Sequence, residues 1–343
     1  MTQRSPSSVS AAHPATAVDT DMLEIELGRE ASEALGREME KRICSPYDQA
    51  ERAIPEAARV FYSHADANVL ASIERFVIDP GSLSVMRVSN LPLDTSLPST
   101  PADGQNVSEK KTFASEGILM GIGRVLGHPF AFKEEKRGSI VQQVCPVPKS
   151  AHLLSNEGSL ADLTMHVENS FSEFRPHHFI LLCLRGDTDH KAKTRIASGI
   201  AIASRLSPEH LAVARLPEFR IKAPASFATK DGQDLFSERV AILSGPEEYP
   251  ELRLDLAECT ECLTERASAA YAAIQDVLAE PGVVLDIDLQ PGEALILANR
   301  KVSHGRTVFK PRYDGTDRWL QRMFTISDPW QMRAFVGDRL RIV

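Results

Sequence analysis

The sequence predicts a mainly β fold with flanking helices, closed as a double-stranded β-helix, or jelly roll. Three observations predict it. Short strand-like segments separated by Gly- and Pro-bearing turns crowd the C-terminal half. Helical periodicity is concentrated near the N-terminus and returns further on only as isolated decorations. No internal repeat and no linker divides the chain, so residues 21–343 read as one domain behind a tail, 1–20.

The elements follow in order. Met1 to Asp19 is rich in Ser, Ala, Pro and Thr and has no apolar run of a secretory signal, so it reads as a disordered tail. Asp21 to Ile43 reads as an amphipathic helix carrying Leu23, Ile25, Leu27, Ala31 and Leu35. A second helical stretch spans Tyr47 to Phe76 with an interruption near Pro55. Leu83 to Leu91 reads as a strand, and Pro92 to Ser108 as a loop. Thr112 to Val125 reads as a helix that Gly121 and Gly123 weaken, and Ser139 to Val147 as a strand.

Leu163 to Glu168 is short and alternating, while Phe179 to Leu184 is the continuous apolar run of a strand buried on both faces. Ile196 to Leu206 is ambiguous by period, and Pro208 to Leu216 is helical. Ala225 to Pro250 is polar and contains Gly and Pro, as a lid would. Ala257 to Ala279 reads as a helix. Val283 to Leu289, the turn Gln290-Pro291-Gly292 and Glu293 to Leu297 carry a hairpin signature. Thr307 to Phe309 and Trp319 to Ile326 complete the strands, with Tyr313-Asp314-Gly315 between them.

The chain has 343 residues, 43% of them hydrophobic, enough for a sizeable core. A net charge of −8 without a basic run argues against nucleic acid and anionic membrane as partners. No stretch reaches the ~18 apolar residues of a membrane helix. Five cysteines form an odd set without framework spacing, which suits a reducing cytoplasm. Cys259 and Cys262 make a lone C-x-x-C, read as incidental.

The chemistry gathers around His166-Val167-Glu168. Residues i and i+2 of a strand point to one side, so one strand can present His166 and Glu168 together. With the distal His304 they form a set of two imidazoles and one carboxylate, the facial triad of a non-heme iron(II) oxygenase. Arg318 and Arg322 lie i, i+4 on the last strong strand and would share a face.

Three segments, G-S-L-A-D-L-T-M-H-V-E-N-S-F (158–171), R-P-H-H-F-I-L-L-C-L-R-G-D (175–187) and H-G-R-T-V-F-K-P-R-Y-D-G-T-D-R-W-L-Q-R (304–322), together with I-L-S-G (242–245), carry a resemblance. The chain resembles the clavaminate synthase-like branch of the taurine dioxygenase superfamily, and within it the hydroxylases of free arginine, asparagine and lysine. The resemblance implies Fe(II) held by His166, Glu168 and His304, with 2-oxoglutarate and O2 consumed and succinate and CO2 released. It implies Arg318 and Thr194 on 2-oxoglutarate, and Arg322 on the substrate's α-carboxylate. It implies Gln142 at the substrate's amino end and Asp255 at a cationic side-chain end. Asn156 stands where relatives often carry serine near the α-carboxylate. In related halogenases a small residue replaces the carboxylate ligand, so Glu168 favours hydroxylation or desaturation.

The residues alone leave bland alternatives: Thr194 as a helix cap, Asp255 as a surface cap after Leu256, and both arginines on an edge strand. The expected reaction is hydroxylation at C3 or C4 of a free L-amino acid, lysine first and arginine next. A carrier-tethered or modified amino acid, another small acid, and a non-catalytic metal-binding jelly roll stay open beside it, as does a homo-oligomeric state.

Overall fold

The computed structural model describes residues 22–227, 232–257, 259–330 and 341–342. The expected tail and residues 228–231 of the expected lid lie outside the described residues. The chain runs β1 (Leu23–Glu26), α1 (Arg29–Arg42), α2 (Pro46–His64), α3 (Ala67–Ile78), β2 (Val85–Ser89), α4 (Ala114–Leu126), β3 (His128–Phe132) and β4 (Gln142–Val144). It continues through β5 (Leu163–His166), β6 (His178–Arg185), β7 (Thr194–Ser198), α5 (Gly199–Ala203), α6 (Pro208–Ala214), β8 (Phe219–Ile221), β9 (Leu243–Ser244), β10 (Glu251–Leu252) and β11 (Thr260–Cys262). Then come α7 (Glu265–Ala279), β12 (Leu285–Ile287), β13 (Ala294–Ala298), β14 (Val302–Arg306), β15 (Trp319–Ile326) and β16 (Arg341–Ile342). Among the described residues no helix is long and apolar enough to cross a membrane.

Two sheets form the frame. The larger runs β1-β2-β13-β6-β15-β3-β16 with β4 beside β15, and the smaller runs β12-β7-β14-β5. Residues of both sheets share one hydrophobic cluster: Phe179, Leu181, Leu295, Leu320 and Phe324 from the larger, Ile196, Ile287 and Val302 from the smaller. Strand β6 shows why its sequence is continuously apolar. Phe179, Leu181 and Cys183 face the smaller sheet, while Ile180, Leu182 and Leu184 face α1–α4. Strand β15 divides the same way, with Trp319 and Met323 toward the helices and Leu320 and Phe324 toward the other sheet.

Several expectations change. Leu23, Ile25 and Leu27 recur every second residue, a strand's period, and the chain there is β1, parallel to β2 in the register Leu23↔Met86. Pro55 sits inside α2; the kink falls at Gln49 (φ −135°) and the break comes at Ala65. The glycines of α4 allow close approach: a Cβ on Gly121 would lie 2.6 Å from Phe61, and one on Gly123 would collide with Met323. Cys259 to Cys262 is not helical, because β11 pairs with β8, and α7 starts only after Thr264, whose side chain caps the Ala267 N–H at 3.1 Å.

The expected hairpin is a turn but not a pair. Gly292, at φ +81°, reverses the chain, yet β12 pairs with β7 and β13 with β2 and β6. The turn therefore carries the chain from one sheet to the other. Thr307 to Phe309 lies beyond β14, which ends at Arg306. Ion-paired Lys110 ties the helical layer to β15: its Nζ meets Asp94 at 2.8 Å and Glu116 at 2.5 Å. Glu116 in turn accepts from Gln321 at 2.9 Å, and Trp319 donates to Gln143 at 2.8 Å.

Candidate metal centre and substrate cavity

His166 ends β5, and His304 stands opposite it in register on β14. Glu168 lies two residues past His166, just outside the strand rather than on it. The turn is held by Asn299, whose amide oxygen accepts the Glu168 N–H at 3.0 Å and whose amide nitrogen donates to the Glu168 carbonyl at 3.1 Å. One ligand atom from each of His166, Glu168 and His304 lies within 4.8 Å of the others. His304 Nε2 is 3.5 Å from Glu168 Oε2. His166 Nδ1 is 2.8 Å from the Thr164 carbonyl, which leaves Nε2 to offer a lone pair. Phe179 stacks on His304 with centroids 4.6 Å apart and fixes the ring.

The protonation states suit a cation. Burial raises the Glu168 carboxyl, but Arg322 and the two histidines outweigh it and hold the pKa at about 2. Burial and the neighbouring His166 hold His304 at about 4. One carboxylate and two imidazoles match the donor chemistry of a non-heme iron(II) site, so the residues fit the metal that the sequence implied.

A cavity of about 590 Å³ opens on these residues. Arg318, immediately before β15, reaches it from the larger sheet and Thr194 from the smaller, and Arg318 Nη2 is 3.5 Å from Thr194 Oγ1. Thr194 begins β7 and caps no helix. Burial holds Arg318 below the usual guanidinium range, and among the described residues no carboxylate lies within ion-pairing distance of it. A buried guanidinium so placed is complementary to an incoming carboxylate. Both arginines are interior, not on an edge strand: Arg318 is 6% and Arg322 7% exposed.

Arg322 is already engaged. It donates to Glu168 Oε1 at 3.0 Å, to Glu135 Oε2 at 2.9 Å and, through Nε, to Gln142 Oε1 at 2.7 Å. Gln142 thus lies behind Arg322 and lines a neighbouring cavity, not the one holding the triad. Asn156 and Asp255 line the triad's cavity. Asp255 bridges to His166 across the backbone and precedes a turn, not a helix. Burial raises its carboxyl, against the pull of His166 and the Ala257 N–H.

Four groups escaped the sequence reading. Glu135 sits in the run Lys133-Glu134-Glu135-Lys136, which looks like a solvated surface, yet its side chain is only 10% exposed, against Arg322. Arg306, two residues past His304, lines the cavity and is 4% exposed. Cys259 lines it too. Asn299 has no local pattern; only the fold brings it to Glu168.

A protein with this frame and donor set belongs to the class of iron(II)- and 2-oxoglutarate-dependent dioxygenases. Residues 104–324 match the family described as "Taurine catabolism dioxygenase TauD, TfdA family", and the chain belongs to that family. It is 38% identical to the L-asparagine oxygenase of Streptomyces coelicolor over 81% of this chain and 82% of that enzyme. It is 29% identical to the L-lysine 3-hydroxylase of Catenulispora acidiphila over 83% of this chain and 79% of that enzyme. Among solved structures, asparagine oxygenase in complex with Fe(II), 2S,3S-3-hydroxyasparagine and succinate superimposes with a TM-score of 0.84 at 33% identity, covering 93% of this chain and 98% of that one.

Proposed function

We propose that the chain hydroxylates a side-chain carbon of a free L-amino acid, L-asparagine first, while 2-oxoglutarate and O2 become succinate and CO2. The observation that carries the reading is the largely buried pairing of Arg322 with Glu135 beside Glu168. A guanidinium and a carboxylate side by side complement the two charges of a free amino acid's head group, its α-carboxylate and α-ammonium. An amino acid tethered through its carboxyl would bring no α-carboxylate to Arg322.

In this reading His166, Glu168 and His304 hold iron(II), and Arg318 with Thr194 takes the distal carboxylate of 2-oxoglutarate. Iron(II), when bound, supplies the oxidising chemistry that couples O2 to decarboxylation. The residues do the positioning. Arg322 orients the α-carboxylate, with Gln142 holding its guanidinium from behind, and Glu135 orients the ammonium. Asn156 adds a polar wall. Phe227, packed on Phe171 at 4.8 Å and Phe132 at 5.6 Å, anchors the front of the expected lid, residues 225–250, and Pro224 to Ser226 close one side of the cavity against water.

Two observations support asparagine over lysine, which the sequence reading ranked first. Asp255 sits one backbone bridge from His166, so a side chain reaching it from the metal is short. The more similar of the two enzymes compared acts on asparagine. Lysine is the second reading, since an ammonium would also satisfy Asp255 and a lysine 3-hydroxylase is a relative. The test compares free L-asparagine, L-asparagine blocked at its α-carboxyl, and free L-lysine for products heavier by one oxygen. Oxidation of free asparagine alone is the expected result. Preferred oxidation of the blocked substrate would overturn the head-group assignment, and of lysine the choice of side chain.

A further inference from the structure

The proposed function leaves one buried cation of the cavity without a task. Arg306 follows His304 by two residues on β14, so both side chains leave the same face, and both line the cavity. In the β14–β7 ladder Arg306 stands directly opposite Thr194, the residue whose hydroxyl meets Arg318. Two guanidiniums and one hydroxyl therefore converge on one end of the cavity.

Among the described residues no carboxylate comes within ion-pairing distance of Arg306 or Arg318. Among the described residues Arg306 makes one long hydrogen bond, from Nη2 to the Ala161 carbonyl at 3.5 Å, and stacks on Phe309 at 5.2 Å. Its Nε is buried without a partner. Asp162, close in sequence to that carbonyl, is exposed and spends an oxygen on the Val308 N–H at 3.0 Å. A pair of buried like charges is costly unless an anion joins them.

We infer that Arg306 is a second cosubstrate-binding residue, which brackets the distal carboxylate of 2-oxoglutarate from the β14 side while Arg318 takes it from β15. This rests on the proposed function, in which that carboxylate enters beside Thr194. One guanidinium fork can bind a carboxylate on one edge and leave lone pairs for a second cation.

The test is calorimetric titration of 2-oxoglutarate into the iron(II)-loaded protein held free of oxygen, for the parent, Arg306→Gln and Arg306→Lys. A companion titration uses 2-oxobutyrate, which keeps the keto acid and lacks the distal carboxylate. Arg306→Gln should weaken 2-oxoglutarate by about 10- to 100-fold, the worth of a charge-assisted contact. Arg306→Lys, which keeps the charge and loses the fork, should weaken it less, and 2-oxobutyrate should bind all three proteins alike. Should the glutamine variant fail to fold, a selective loss for 2-oxoglutarate in the lysine variant carries the same meaning. Unchanged 2-oxoglutarate affinity in the folded variants would overturn the inference, as would equal weakening of both keto acids, the mark of a strut for β14. A parent that does not take up 2-oxoglutarate would overturn the proposed function itself.

Discussion

At the scale of single residues, the groups proposed to hold the metal are distinct from those proposed to hold the organic reactants. His166→Ala or His304→Ala should abolish succinate release while the fold survives, because each removes one donor of three. Wild-type 2-oxoglutarate consumption in both variants would remove the iron assignment. Arg318→Ala should raise the apparent KM for 2-oxoglutarate by about 100-fold with a smaller change in kcat, since a bidentate anchor serves ground and transition state alike. An unchanged cosubstrate response would take Arg318 out of that role. Asp255→Ala should lower kcat/KM for asparagine by about 10- to 100-fold, the worth of one buried charge-assisted hydrogen bond. Retained activity would mean that the side chain is read elsewhere.

At the scale of elements, β15 does most of the organising. Its face toward the smaller sheet carries Arg322, with Arg318 reaching in just before the strand, and its other face ties into the helical layer through Gln321 and Trp319. Lys110 is the counter-charge that lets Asp94 and Glu116 stay buried there. Lys110→Met should therefore cost about 3–5 kcal/mol in urea unfolding, because two carboxylates lose their partner; unaltered stability would mean that they protonate without strain. The strands buried on both faces were legible because an unbroken apolar run has few other uses, as β6 shows. β1 was misread because its apolar residues sit just before a true helix and were absorbed into its pattern. The β12–β13 turn was legible as a turn, but not as a crossing between sheets, since pairing partners distant in sequence leave no local mark. The C-x-x-C segment looked helical because α7 follows it closely.

At the scale of the whole molecule, the grouping of the His-x-Glu pair with the distal histidine and Arg318 was legible because the metal and carboxylate chemistry proposed for them restricts residue type and spacing. Glu135, Asn299 and Arg306 were not, because burial decides their meaning and burial is a property of the fold. Burial also sets an acid limit. His178, packed near Phe76 and bonded to Thr325 at 3.1 Å, is held by desolvation at about 3, below its ordinary 6.5. A group depressed in the folded state contributes fully above 6.5, and that contribution is lost as the pH falls through 6.5 toward 3. His178→Gln should thus flatten the fall of the urea midpoint across that window, and an identical slope in both proteins would contradict it.

The central claim is that one cavity joins a three-residue iron site, a 2-oxoglutarate clamp and an amino-acid head-group clamp. The most direct measurement follows succinate and oxygenated amino acid together, with iron(II), 2-oxoglutarate, O2 and free L-asparagine supplied to the purified protein. The account predicts that the two products rise in equal amounts and that both stop when asparagine or iron(II) is withheld. Succinate formed at the same rate with and without the amino acid, and no oxygenated product, would contradict it.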